Sequence, residues 1–239
     1  MTRYLFLLLL FPLVFASCFL DKDHVRGNGN IRTENRSVGS FARVSVGGAI
    51  KLYVTQAQDY SVRIETDENL LELVETEVSG DELKIRPRQR FGLNPSGEIK
   101  VYVSAPVFKR LDASGACNIY SQGRITLSET LDIDLSGASY AEVDLRAPAV
   151  EADLSGASTV QLSGETKDFN LDGSGASTIR CYELKAENVD VELSGSSHAE
   201  VFASVKLDAH ASGAAGVSYR GNGALSQHVS GAGTVKKVD

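Results

Sequence analysis

Between residues 131 and 201 apolar and polar positions alternate in short runs, and the runs recur. Leu131, Ile133 and Leu135 are followed by Ala141 and Val143. Val150, Ala152 and Leu154 are followed by Val160 and Leu162, and Val189, Val191 and Leu193 by Ala199 and Val201. A period of two turns one face of each run toward a core and does not fit the spacing of a helix. Between the two runs of each unit stands a corner: Ser114-Gly115-Ala116, Ser136-Gly137-Ala138, Ser155-Gly156-Ala157, Ser174-Gly175-Ala176, Ser194-Gly195-Ser196, Ser212-Gly213-Ala214 and Ser230-Gly231-Ala232. The corner serines follow one another at steps of 22, 19, 19, 20, 18 and 18 residues, which marks a repeat architecture. One unit buries too few side chains to offset the entropy of ordering it, so units must stack. The pattern predicts an all-β chain folded as a parallel β-helix, or β-solenoid, with coils of about 18–22 residues.

The first half is less regular. Alternation predicts strands at 41–46, 50–55, 60–66, 82–87 and 98–104, with one short helical turn within 67–74. Gly47-Gly48-Ala49 reads as a degenerate corner, so this half is expected to be further solenoid with longer excursions. The stretch 86–97, with Arg86, Arg88, Arg90, Phe91, Asn94 and Pro95, reads as the most irregular loop.

Residues 1–17 stand apart. Arg3 gives a basic start, residues 5–15 an apolar core too short for a permanent span, and Phe15-Ala16-Ser17-Cys18 a small-residue cleavage site. The segment resembles a bacterial lipoprotein signal, which implies lipidation at Cys18; plain secretion is the alternative. Phe19 in place of an aspartate implies the outer membrane by the same resemblance. Residues 18–37 then read as the lipidated cysteine and a polar, flexible tether through Gly27, Asn28, Gly29 and Asn30, and 38–239 as a single solenoid domain.

Stacking about 4.8 Å apart would align equivalent positions in columns. Two residues before the corner serine lie Asp112, Asp134, Asp153, Asp172, Glu192, His210 and His228; four before it lie Arg110, Asp132, Glu151, Asn170, Asp190, Asp208 and Ser226. Like charges at that spacing repel by about 1 kcal/mol per pair even in water. The strip of Asp132, Asp134, Glu151, Asp153, Asp172, Asp190, Glu192 and Asp208 is therefore a candidate surface for Ca²⁺ or for a basic partner. The alternative is a solvated face that keeps the protein soluble and discourages edge-to-edge aggregation. His210 and His228, with Asp208 as third group, are the candidate ligands for Zn²⁺ or Ni²⁺, although such sites use three or four protein ligands. Cys117 and Cys181 fall about 14 Å apart along the stack, beyond disulfide reach, and are expected as a free thiol near a corner and a small core residue.

Composition narrows the field. A net charge of −7 leaves no footprint for nucleic acid, and few aromatics with no tryptophan weigh against a sugar-stacking groove. Neither a nucleophile elbow nor a histidine placed to activate a corner serine is present in the sequence. The serines are expected instead to form a hydroxyl ladder that satisfies the backbone and one another.

The run Val44-Ser45-Val46-Gly47-Gly48-Ala49-Ile50-Lys51-Leu52-Tyr53-Val54, then Tyr60-Ser61-Val62-Arg63-Ile64-Glu65 and Asp67-Glu68-Asn69-Leu70-Leu71, resembles the putative auto-transporter adhesin "head GIN" domain family. The Leu-Ser-Gly-Ala-Ser runs at Leu135–Ser139 and Leu154–Ser158 fit its second half. The resemblance implies a right-handed β-helix displayed from a Gram-negative envelope and brings no catalytic residues with it. The expectation is a non-catalytic, outer membrane-anchored lipoprotein acting as an adhesion or interaction surface. Its partners would be the membrane through its lipid, an unknown protein or glycan, and possible further copies through the solenoid ends. Two rivals stand beside it: a periplasmic structural or sensory lipoprotein that binds another envelope component, and a polysaccharide-cleaving β-helix enzyme.

Overall fold

The computed structural model describes residues 23–89 and 91–238, so the signal segment, Cys18 and Arg90 lie outside the described residues. Ten strands build the N-terminal half: β1 (Asp23–Arg26), β2 (Ile31–Arg36), β3 (Arg43–Gly48), β4 (Ile50–Gln56), β5 (Ser61–Asp67), β6 (Val74–Ser79), β7 (Glu82–Pro87), β8 (Phe91–Asn94), β9 (Ile99–Ala105) and β10 (Arg110–Gly115). Ten more follow: β11 (Asn118–Ser121), β12 (Ile125–Thr126), β13 (Leu131–Leu135), β14 (Tyr140–Leu154), β15 (Thr159–Gly173), β16 (Thr178–Leu193), β17 (His198–Ala211), β18 (Gly216–Arg220), β19 (Ala224–Val229) and β20 (Thr234–Lys237). A 3-10 turn spans Glu68–Leu73, inside the predicted helical stretch. No described helix is long and apolar enough to cross a membrane.

From β10 onward the chain is a parallel β-solenoid of about six turns. Every turn pairs in parallel with the next, as in β14 with β15 and β15 with β16. The alternating apolar positions are the buried ones: Leu131, Ile133, Leu135, Val150, Ala152, Leu154, Phe169 and Leu171 are all within 3% of full burial. The corner follows from backbone chemistry. Gly156 has φ +73°, and a Cβ there would lie 2.5 Å from the carbonyl oxygen of Gly137, one turn below. That oxygen accepts the amide hydrogen of Ala157 at 2.8 Å, and the same bond recurs from Ala138 to Gly115 and from Ala176 to Gly156. Only glycine combines the positive φ with so close an approach.

Three residues past each corner serine runs a buried column of Cys117, Ser139, Ser158, Ser177 and Ser197. Ser139, Ser158 and Ser177 each donate a hydroxyl to the carbonyl of the corner serine of their own turn, at 2.8 to 2.9 Å. Ser136, Ser174 and Ser212 donate to carbonyls of the turn below at 3.3 to 3.4 Å. These serines thus serve the backbone. Cys117 and Cys181 are both free and fully buried, and burial pushes their thiols up to about 11 and about 12.

In the first half, spatial order departs from chain order. The outermost coil is β7–β9, with its corner enlarged to residues 88–98, and β3–β4 lies between it and β10–β11. Gly48 occupies the corner column, its carbonyl accepting the amide hydrogen of Ala116 at 2.7 Å. The excursions run antiparallel and close this end: β5 against β9, β2 against β5 and β6 against β7.

The expected tether at 18–37 is corrected by this arrangement over its described part. β1 pairs in parallel with β8, and β2 pairs through six residues with β5. The polar side chains here do not prevent docking, because main-chain bonds supply it. The stretch 86–97 likewise is not simply irregular, since it holds β8. The opposite end is open: all six residues of β19 are exposed, Leu225 by 40% and Val229 by 41%.

Candidate functional site

Strand registry sets the outward columns. Asp112 stands opposite Asp134, Asp134 opposite Asp153, Asp153 opposite Asp172, Asp172 opposite Glu192, Glu192 opposite His210, and His210 opposite His228. The neighbouring column runs Arg110, Asp132, Glu151, Asn170, Asp190, Asp208 and Ser226 in the same way. The structure therefore brings all eight strip carboxylates onto one flank. Between the first column and the corner serines lies an open groove of about 600 Å³, with Arg110 at one end and His228 at the other. A second groove of about 360 Å³, between the columns, is lined by Glu151, Asp153, Asp172, Asp190 and Glu192 with Asn170.

Charge is balanced only at the ends. Arg110 pairs with Asp134, Lys206 pairs with Asp208 at 3.3 Å, and the His210 ring lies 3.4 Å from the same Asp208 carboxylate. Among the described residues no lysine or arginine comes within ion-pair distance of Glu151, Asp153, Asp172, Asp190 or Glu192. Desolvation raises the carboxyl of Asp172, and Asp153, Glu192 and Asp190 raise it further. Desolvation also raises Asp134, against Arg110, with Asp153, Asp112 and Asp132 adding to it, and raises Asp112 despite Arg110. Asp208 is lowered instead, by hydrogen bonds from Ser226 and Lys206. The middle of the groove thus holds carboxylates that gain nothing from one another.

Among the described residues no group of three or more His, Cys, Asp or Glu side chains is arranged around a common point. The rings of His210 and His228 lie 5.8 Å apart and tilted by 37°.

A second outward feature escapes the reading by turns. Tyr102, Tyr53 and Tyr120 stack at 5.0 and 5.4 Å, Tyr140 follows at 5.7 Å, and the Arg63 guanidinium sits 4.1 Å from the Tyr102 ring centre. The signal was present in Lys51-Leu52-Tyr53-Val54, Lys100-Val101-Tyr102-Val103 and Asn118-Ile119-Tyr120-Ser121, three tetrads of one pattern. Because the rings cover one another's faces, the ladder braces the first coils and offers solvent mainly its edges.

A solenoid whose outward side chains form continuous columns, with a groove along one flank, is a repeat scaffold of the surface-presenting kind. The chain belongs to the family described as "Putative auto-transporter adhesin, head GIN domain", which it matches over residues 40–223. Solved structures with the same fold include a putative adhesin from Bacteroides fragilis NCTC 9343, 20% identical, with a TM-score of 0.84 over 90% of this chain and 100% of that one. A putative adhesin from Parabacteroides distasonis ATCC 8503 is 24% identical, with a TM-score of 0.71 over 90% of this chain and 100% of its own. A putative lipid binding protein from the same strain is 19% identical, with a TM-score of 0.71 over 91% and 100%. No curated protein matches the chain.

Proposed function

We propose that this protein is a non-catalytic adhesion module, held at the outer membrane through a lipidated Cys18, that offers its acidic groove to a basic partner. The observation that carries the reading is the run of unneutralised carboxylates along the groove, from Glu151 and Asp153 to Asp190 and Glu192. Asp172, raised by desolvation and by Asp153, Glu192 and Asp190, is favoured in its charged form by an approaching cationic surface, since opposite charge offsets the repulsion of its neighbours. Family membership supports adhesion as the class of function, and the small-residue site before Cys18 supports the anchor.

The test pairs the wild-type protein with a variant carrying Glu151→Gln, Asp153→Asn, Asp172→Asn, Asp190→Asn and Glu192→Gln. Cells displaying each are measured for attachment to polylysine-coated and host-matrix surfaces at two salt concentrations. Salt-sensitive attachment that the variant loses supports the reading; equal attachment by both removes it. Protease shaving of intact cells separates outward display from a periplasmic position. Calorimetry with Ca²⁺ decides the competing cation reading, in which heat and a raised melting temperature would appear in wild type alone.

A further inference from the structure

The arm that precedes the solenoid is locked to it. The amide of Gly27 donates to the Asn94 carbonyl at 2.9 Å and that of Gly29 to Asp67 at 2.6 Å. Asp67 is fully buried and also accepts the Ser96 amide and hydroxyl, at 2.9 and 2.7 Å. Asn69 receives the amide of Asn28 and donates to the Arg26 carbonyl, so the link is reciprocal. Gly27 is required for this fit, because a Cβ there would fall 2.2 Å from the Asp67 carboxylate. Only residues 19–22 then separate Cys18 from β1, and five steps of chain span at most about 18 Å.

The end of the molecule that this short leash holds has its own chemistry. The enlarged corner surrounds a cavity of about 350 Å³ with Arg86 and Arg88 among its lining and Phe91, Leu93 and Ile99 as its apolar part. The two arginines share the single carboxylate of Glu75, at 3.6 and 3.3 Å, which leaves one positive charge of the trio unmatched. Charge also divides along the chain: residues 19–110 hold 14 Lys and Arg against 13 Asp and Glu, whereas residues 111–239 hold 9 against 18.

We infer that the pole formed by β1, β8 and the corner around Arg86 and Arg88 is the foot on which the molecule stands on an anionic phospholipid surface. This rests on the anchor reading of Cys18. The arginine-bearing, partly apolar corner suits the headgroup layer, while the strongly acidic coils are repelled from it. Nine stacked strands from β7 to β19 carry the far end about 38 Å from the foot.

The lipidated protein is reconstituted in vesicles of phosphatidylethanolamine and phosphatidylglycerol that carry a headgroup acceptor dye. A donor dye is placed at Gln89→Cys or at Asn222→Cys, Cys117 and Cys181 being buried. Energy transfer is expected to be several-fold greater from position 89. A flexible Gly-Ser insert of about fifteen residues after Lys22, with ends roughly 20 Å apart on average, should erase most of that difference without touching the fold. Asp67→Asn should reduce it by loosening the arm. Mass spectrometry of the N-terminal peptide keeps the two ideas separate. A Cys18 without lipid removes the anchor and the foot together, whereas a lipidated chain with equal transfer from both positions removes the foot alone.

Discussion

The two halves of the molecule reach stability by different means. From β13 to β17 every turn repeats its neighbour's solution, with an apolar pair inward, a glycine bend and a carbonyl-to-amide bond to the turn below. The N-terminal half has no such uniformity and depends on particular contacts, with antiparallel strands folded over its end and one buried carboxylate gathering the arm and the enlarged corner. Repetition distributes stability over many equal steps, whereas a junction concentrates it in a few groups.

That contrast can be broken most forcefully in the regular half. Phe169 is among the largest fully buried side chains, and Phe169→Ala should cost about 4 kcal/mol, read as a fall in urea midpoint for the whole solenoid. Gly156→Ala should cost about 2–3 kcal/mol, from a strained positive φ and contact with the Gly137 carbonyl. If both losses stayed confined to one turn, the nearest-neighbour picture would fail. At the junction, Asp67→Asn should cost about 2 kcal/mol but act locally. Amide exchange should quicken at Gly29 and Ser96 while the turns around Leu171 keep their protection.

The smallest effect is electrostatic and differs in sign between the halves. Burial pushes the Asp67 carboxyl up, but its hydrogen bonds from Ser96 and Gly29 outweigh that and hold it below the ordinary 3.8. Its contribution is complete above 3.8 and is lost as pH falls through the lowered value. Asp112, Asp134 and Asp172 are raised, so their ionised forms cost stability at neutral pH, and that cost is relieved as pH falls through their raised values toward 3.8. Melting temperature followed against pH should therefore rise slightly on approach to 3.8 and fall below it. Asp172→Asn should add less than about 1 kcal/mol at pH 7 and nothing once that carboxyl is protonated.

Legibility in the sequence follows the same division. The columns from Asp112 to His228 could be aligned before any coordinates, because alternation fixes which residues face outward and each Ser-Gly pair fixes the phase. The insertion of β3–β4 between β7–β9 and β10–β11 was not readable, since no local pattern says which coil a strand will join. Residues 23–36 look like a solvated linker for a related reason. Their partners are main-chain groups and Asp67, some 38 residues away from Gly29. Val74–Ser79 and Phe91–Asn94 form strands whose partners, β7 and β1, lie in the same irregular region.

The glycine bends have one more consequence. Because each bend bonds only to the bends directly above and below it, a duplicated or deleted turn would restore the same main-chain bond between glycine bends. The height of this protein above whatever it stands on can therefore be lengthened or shortened in whole increments of about 4.8 Å, like a ladder cut to size.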